Sequence, residues 1–543
     1  MTLALAEEKF FCQRSRIQWL KYGDSNTAFY FKMVTTRRSD NQIHFLIGSD
    51  GRRIDNRSEI EEHCVAFFKD LLAKESTPLT APDRDLIGSL SAFRCTPEMQ
   101  SMLIAEVSAA EIKETVFALP ILKQWNCTII TLIPKKVNAD KISEFRHISL
   151  CNVLYKIISM IIAKRLEIIL PSMVSPHQSA FVKGRLLIEN VLLATEMVQK
   201  FNQKNISSRG VLKVDLRKAF DSLRWDFIIQ VLKAAQFPST FINWIQQCIT
   251  TTSFSINVNG DLCGFFKGEQ GVRQGDPISP YLFIIAMEVF GRLLERKFED
   301  GSIGYHPKGQ DPKISHLAFA DDVMVFFDGS HNSLNELSST LETFHRLSGL
   351  EMNREKSALY TAGTDAEEQE SLAAFGFTQG SFPFRYLGLP LTHMKLQKSE
   401  YSPLLDAISN RFNHWTTKAL TFAGRLQLIS SVICSTVNFW ISAFMLPKAC
   451  IKQIEGMCNH FMWSGDIAKK HGVKVAWSTV CQPKEEGGLG LRNFSLWNKT
   501  LNLKLIWLLF SNSDSLWVAW MRKHNLKDHR FWSAPAMATS SWI

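Results

Sequence analysis

The sequence predicts an α+β fold, with strands paired beneath helices on one face. Three observations predict it. Val211-Leu-Lys-Val-Asp215 is a short apolar strand that ends on an acid. Residues 316–327, His-Leu-Ala-Phe-Ala-Asp-Asp-Val-Met-Val-Phe-Phe, read as a hairpin with Asp321 and Asp322 at its tip. Around these strands, apolar residues recur at helical spacing.

The elements follow in chain order. Residues 1–75 mix basic and aromatic side chains, among them Arg14, Arg16, Trp19, Lys21, Tyr22, Arg37 and Arg38. Such a mixture suits phosphates and stacked bases, and equally an amphipathic element packed on the main body. Residues 74–97 carry Pro78, Pro82 and Pro97 and read as a linker. Residues 106–118 form a helix with Ser108 as cap and Glu111 completing a capping box. The β-branched run at 127–134 is a strand, and 150–170 is a helix on Val153, Leu154, Ile157, Ile158, Ile161, Ile162, Leu166 and Ile169. After strand 211–215 comes a helix with a core face of Trp225, Ile228, Ile229, Leu232 and Ala235. Residues 254–266 are a hairpin turning at Asn259-Gly260. A Gly-rich turn then leads into a helix with Ser279 as cap and Pro280 in first position. From 401 the pattern is helical, through Leu404, Leu405, Ile408, Phe412, Trp415, Leu426, Leu428, Ile429, Val432 and Ile433. A second Gly-rich turn at 484–493 precedes an aromatic, basic helix at 494–510.

The chain has 543 residues, enough for about three domains. It is 45% hydrophobic, which supports a large core. Its net charge of +10 suits a nucleic-acid partner, or a merely basic soluble protein. The 11 cysteines show no Cys-x-x-Cys pair, which argues against a structural zinc site. Scattered thiols in odd number fit an intracellular, reducing compartment. The first residues, with Glu7, Glu8 and Lys9, are expected to be neither signal peptide nor membrane anchor. No later apolar run reaches bilayer length, so no membrane partner is expected.

Adjacent aspartates between strands are often only a turn. Here a second acid, Asp215, closes another strand. Carboxylates at the ends of neighbouring strands can share two divalent cations about 3.5–4 Å apart, as phosphoryl transfer requires. Like charges so close repel unless a cation intervenes, so the site should bind magnesium. The turn at 268–280 carries Gly268, Gly271 and Gly275, which let backbone approach a ligand or simply connect strand to helix.

Four motifs stand in order: Asp215-Leu-Arg-Lys-Ala-Phe-Asp221, Gly271-Val-Arg-Gln-Gly-Asp-Pro-Ile-Ser-Pro280, Phe319-Ala-Asp-Asp322 and Gly349-Leu-Glu-Met-Asn-Arg-Glu-Lys-Ser357. Together they resemble reverse transcriptases of non-LTR, LINE-type retrotransposons, in particular those of plant genomes. Group II intron enzymes and telomerase share the acids. Tyr386-Leu-Gly-Leu-Pro-Leu391, Phe422-Ala-Gly-Arg-Leu426 and Gly487-Gly-Leu-Gly-Leu-Arg492 look LINE-type. The resemblance runs from about residue 8 to about 525. It implies a right-hand polymerase with fingers, an antiparallel palm sheet packed on helices, and a helical thumb. The implied boundaries are an N-terminal extension 1–94, fingers 95–205, palm 206–400, thumb 401–470 and C-terminal connector 471–543.

It further implies RNA-directed DNA polymerisation with an RNA template, a DNA primer, deoxynucleoside triphosphates and two Mg2+ ions. Asp215, Asp321 and Asp322 match the catalytic, metal-holding acids, and the Leu216 carbonyl completes one ion's shell. Phe220 matches the ring beneath the incoming sugar, where a 2′-hydroxyl would collide; it could equally be core packing. Gln274 and Gly275 match the turn against nucleotide and template. Lys135 and Arg146 match basic fingers residues near the triphosphate. Lys356 matches a lysine that assists pyrophosphate departure, or is a solvated helix-end lysine. The thumb's Arg411, Lys418, Arg425, Lys448 and Lys452 are expected in part to face the duplex.

Two departures stand out. Glu111-Ile-Lys-Glu-Thr-Val-Phe-Ala-Leu-Pro120 runs straight into Ile121-Leu-Lys-Gln-Trp-Asn126, where the family has a longer segment with a Pro-Gly-Pro-Asp-Gly loop and an aromatic helix. The family's Arg-Pro-Ile-Ser is Arg146-His147-Ile148-Ser149 here. The chain is thus expected to be a fragment without the family's endonuclease or Cys/His-rich segment, with fingers truncated near 120/121. A chain of that kind is an RNA-directed DNA polymerase, or a catalytically defective remnant that only binds nucleic acid.

Overall fold

Strand order in the larger sheet brings the two acid-bearing segments side by side. The structure, a computed structural model, describes residues 41–74, 78–112, 127–136, 138–203, 206–394, 396–414, 420–468, 474–511 and 515–526. The basic, aromatic stretch at 1–40, the 120/121 junction, Trp415 and Lys418 lie outside them. The chain divides into two compact units, one of Asn41–Ser381 with Ser515–Trp520, the other starting at Phe382. Residues 382–400, assigned to the palm from sequence, thus group with the helices that follow. That stretch carries a small hairpin, Phe384–Tyr386 with Leu389–Leu391, whose Tyr386, Leu389 and Leu391 are fully buried.

In the larger unit, helix α1 (Arg57–Leu72) is capped by the Asn56 side chain. Its Ile60, Cys64 and Phe68 pack on a four-stranded sheet. That sheet contains β1 (Cys127–Pro134), β2 (Phe145–Leu150) and the hairpin β4 (Ser253–Val258) and β5 (Asp261–Lys267), in the order β2-β1-β4-β5. Asn259 and Gly260 turn the hairpin at φ 53° and 108°, the positive values that Asn-Gly supplies. Between the sheets' strands in sequence run α2 (Val153–Met173) and α3 (Leu187–Val198).

The five-stranded sheet is built from β3 (Arg209–Val214), β6 (His316–Phe319), β7 (Asp322–Phe327), β8 (Ala358–Ala362) and β9 (Thr378–Gln379). Their order is β9-β8-β3-β7-β6, antiparallel except for β8–β9. Side chains alternate across a strand. Leu212, Val214, Val323, Val325 and Phe327 share the face that joins the main core. Against them pack α4 (Trp225–Ala234), α5 (Ser239–Thr250), α6 (Ser279–Glu299) and α7 (His331–Ser348).

Three details differ from the sequence reading. In α2, Leu154 and Ile158 are exposed at 47% each, while Tyr155 and Ser159 point inward. Both inward hydroxyls donate to the buried Asp276 carboxylate, Tyr155 at 2.6 Å, so hydrogen bonding overrides apolar periodicity. In α4 the buried face adds Phe227 and Val231, and Trp225 is only half-buried because its Nε1 donates to the Gly271 carbonyl at 2.7 Å. Helix α6 begins at Ser279 with no side-chain cap from it. The neighbouring Ile278 N–H is taken instead by Asp276 and by Ser159 Oγ, at 3.3 and 3.2 Å. Elsewhere Ser108 does cap its helix, accepting from Glu111 N–H, while the Glu111 carboxylate pairs with Arg165.

The helical unit contains α8 (Ser402–His414), then α9 (Phe422–Leu428) running through a π turn at Ile429–Ile433 into α10 (Cys434–Ile441). α11 (Lys448–Ser464) and α12 (Phe494–Phe510) follow. Buried Asn498 ties α12 to the end of α10, donating to the Ile441 and Phe444 carbonyls and accepting from Leu446 N–H. Of the expected duplex-facing cations, Arg425 donates to the Phe461 and Met462 carbonyls at the end of α11, and Arg411 to Thr436. Lys448 and Lys452 are exposed.

Asp276 is the acceptor for Tyr155, Ser159 and Arg273 at once, with Arg273 also donating to Thr128 and the Cys248 carbonyl. Removing one partner of a buried pair strands the other's charge, so Asp276→Ala should destabilise by about 3–5 kcal/mol. Denaturant unfolding measures it; a loss below about 1 kcal/mol, ordinary for a surface change, would contradict the role given to this network.

Candidate active site

Register places the first acid. β3 pairs with β7 through Val214↔Val323, so the next residue, Asp215, faces Asp322 at the mouth of the β6–β7 hairpin. The Asp215 backbone is held on both sides by the 349–357 segment. Its N–H donates to Ser357 Oγ at 3.0 Å and its carbonyl accepts from Asn353 N–H at 2.8 Å. Leu216 forms an isolated antiparallel bridge with Met352. That bridge uses the Asp215 and Glu351 carbonyls, so the Leu216 carbonyl is not consumed by it.

Asp321 stands at the hairpin tip and Asp322 opens β7. Loss of hydration raises the Asp321 carboxyl above its usual range, and the charges of Asp322 and Asp215 add to that. Asp322 is raised by the same two causes, burial and then Asp215, with Lys213 opposing. The three acids of the sequence reading therefore lie within electrostatic reach of one another. Among the described residues, no group of three or more His, Cys, Asp or Glu forms a ready metal cage.

A second cluster brings together residues distant in sequence. Burial lowers the Lys135 ammonium, and Arg146 and Lys356 lower it further, against Asp221 and Glu144. Lys218, lowered by burial, feels Asp221 and Lys135 as well. All four side chains keep much of their surface in solvent, but the Lys135 and Lys218 ammonium groups lose part of their hydration beside the buried Asp221. Asp221 Oδ1 is hydrogen-bonded to His147 Nε2 at 2.7 Å. The residue that departs from the family's proline thus connects β2 to the loop after Asp215.

Phe220 is half-buried, stacked on Phe283 of α6 with centroids 4.8 Å apart. The Gly-rich turn rests on β2, where Ser149 N–H donates to the Gln274 carbonyl at 2.8 Å. A Cβ on Gly275, at φ 117°, would stand 2.8 Å from the Ser149 carbonyl oxygen, so that position needs glycine. Sequence reasoning missed the supports: Gln178 behind the hairpin, Arg273 with Asp276 behind the turn, and Lys218 in the basic cluster. Asn353 and Ser357 were in a quoted motif, but nothing marked them as the groups that hold Asp215.

Residues 133–391 match the family described as reverse transcriptase (RNA-dependent DNA polymerase). The chain is 23% identical over 520 residues to the "Transposon TX1 uncharacterized 149 kDa protein" of Xenopus laevis, covering 88% of this chain and 38% of that protein. It is 29% identical over 375 residues to the "Retrovirus-related Pol polyprotein from type-2 retrotransposable element R2DM" of Drosophila melanogaster, over 66% of this chain and 33% of that one. Residues 133–391 thus resemble a reverse transcriptase domain, and both relatives are named as transposable-element proteins. The sequence-predicted acids and nucleotide-site residues, from Lys135 to Lys356, fall inside the matched region, and the expected thumb cations lie beyond it. The chain spans only about a third of the length of these two relatives. Superposition on the RNA-dependent RNA polymerase of a human picorbirnavirus is loose, with TM-score 0.41 at 11% identity over 96% of this chain and 91% of that one, and no assignment rests on it.

The raised acids make a prediction about the reverse transcriptase domain. A carboxyl raised in the folded state contributes stability below its unfolded pKa and loses it as pH rises through the folded value. The metal-free chain should therefore lose stability as pH rises out of the usual carboxylate range. Asp321→Asn should flatten that slope and should not lower the melting temperature at neutral pH. An unchanged slope would contradict the coupling of the acids.

Proposed function

We propose that this domain is an RNA-directed DNA polymerase, extending a DNA primer on an RNA template from deoxynucleoside triphosphates. The observation that carries the reading is the meeting of three sequence-distant segments at one place. Asp215, Asp321 and Asp322 repel across a hairpin mouth, and the segment that holds Asp215 also carries Lys356 of the basic cluster. Asp321 and Asp322, each raised in part by a neighbouring carboxylate, fit a divalent cation, which would relieve them. Two Mg2+ ions would be held by Asp215, Asp321, Asp322 and the Leu216 carbonyl, with oxygens of substrate and water completing their shells. Such ions supply Lewis acidity toward an attacking hydroxyl and a departing pyrophosphate.

The chain's own residues do the rest. Lys135, Arg146, Lys218 and Lys356 would offer four cations to a triphosphate, and Lys356 would assist pyrophosphate departure. Buried Asp221, paired with His147, keeps that cluster from repelling itself apart. The Gln274–Gly275 turn presents backbone to nucleotide and template. The Phe220 ring, braced by Phe283, would stand under the sugar and exclude a 2′-hydroxyl. Ten free cysteines among the described residues, most of them buried, support an intracellular, reducing setting.

In primer extension on an RNA template, Asp321→Ala should abolish magnesium-dependent synthesis while RNA binding persists. Extension that survives the substitution would remove Asp321 from the chemistry. A wild-type chain that binds RNA but never extends would favour the binding remnant. Phe220→Ala should raise ribonucleotide incorporation relative to deoxynucleotide. Unchanged discrimination would mean that the ring only packs on Phe283.

A further inference from the structure

The residue before the hairpin's first acid has an unusual backbone. Ala320 adopts φ 57°, the left-handed region. A non-glycine residue pays about 1–2 kcal/mol to be there. Something must hold it, and the structure shows what does. Gln178 Oε1 accepts from Ala320 N–H at 3.0 Å, and Gln178 Nε2 donates to the Ala320 carbonyl at 3.4 Å. The same Oε1 accepts from Ala180 N–H at 3.0 Å. Gln178 is 4% exposed, so this amide is sequestered from water and committed to the hairpin tip.

The segment that carries it is itself fixed. Residues 177–179 run beside β6 as a short parallel bridge, with Ala318 N–H donating to His177 and Ser179 N–H to Ala318. Asn190 Nδ2 adds a second donor to the Ala318 carbonyl at 3.0 Å. Arg185 donates to the carbonyls of Val174, Ser175 and Gln178 and closes the loop on itself. The clamp therefore has a rigid base.

We infer that Gln178 is a positioning residue, whose amide locks Ala320 in its left-handed conformation and so aims the Asp321 carboxylate before any cation arrives. Glutamine suits the task because it presents acceptor and donor together. Glutamate keeps only the acceptor and sets a third charge behind the two raised acids. Methionine fills the space and offers neither. The inference rests on the reading of Asp321 as a metal-holding acid, but its backbone part stands without it.

The test uses the full chain, Mn2+ as probe, and hydrogen exchange over residues 318–323. In Gln178→Met, exchange at Ala320 should rise toward that of an open loop. Mn2+ affinity should fall by about 10- to 100-fold, as for lost support behind a ligand. Adding Ala320→Gly should recover part of that affinity, since glycine takes positive φ without the Cβ penalty. A merely structural defect would show no such recovery. If Gln178→Met does not fold, Gln178→Glu carries the test, since it keeps both accepted N–H bonds: exchange at Ala320 should stay near wild type while Mn2+ affinity changes. Wild-type exchange and wild-type Mn2+ affinity in the folded methionine variant would overturn the inference, as would fast exchange at Ala320 in the wild-type chain. Failure of the wild-type chain to bind Mn2+ would instead overturn the metal-site reading, leaving exchange in the variants to decide the clamp.

Discussion

The pairing of β3 with β7 is the constraint on which the rest depends. Strand side chains alternate with period two, so a slip of one residue would turn every inward side chain outward. It would expose Leu212 and Val214 and move Asp215 away from the hairpin mouth. The register is pinned by shape. Gly210 lies opposite Phe327, and a Cβ there would come within 2.3 Å of the Phe327 ring. The ring fills the place of the missing side chain, so any other pairing meets either a clash or a void. The acids are thus set by packing several residues away from them, on the face of the sheet that is buried in the core.

The site itself is built against its own stability. Asp322 and Asp215 raise the proton affinity of Asp321, Asp215 raises that of Asp322, and Lys135 sits among the like charges of Arg146, Lys218 and Lys356. Neither cluster would be chosen for folding alone. The offset lies behind them in well-satisfied polar contacts: Arg273 with Asp276, Tyr155 and Ser159; Gln178 on the hairpin tip; Asn353 and Ser357 on Asp215. These supports carry no chemistry of their own. They hold charges in place that would otherwise relax apart, the preorganisation that the proposed binding of a cation and a triphosphate would use.

Much of this was legible in the sequence. The β-branched run at 127–134, the Asn259-Gly260 hairpin, the acid-tipped hairpin and the helix at 494–510 were read with nearly their observed bounds, because each has a strong local pattern. The acids and the cations Lys135, Arg146 and Lys356 were named one by one, and the structure brings the cations together across three segments. What was not legible is contact between distant residues. Apolar periodicity put Leu154 and Ile158 in the core, because nothing local shows that Tyr155 and Ser159 will reach Asp276. Ser279 looked like a cap, because the serine before a Pro is a common start, whereas the acceptors come from Asp276 and from another helix. Gln178 carries no motif that marks it. Its meaning exists only once the 177–179 segment lies beside β6.

The central claim is that Asp215 and the acid-tipped hairpin form one cation-binding polymerase site. Anomalous diffraction from Mn2+-loaded crystals of the chain with an RNA template, a DNA primer and a non-hydrolysable deoxynucleotide tests it most directly. The account predicts manganese peaks between Asp215 and Asp321, with the triphosphate against Lys135, Arg146 and Lys356. Manganese elsewhere, or a nucleotide seated away from these acids, would contradict it.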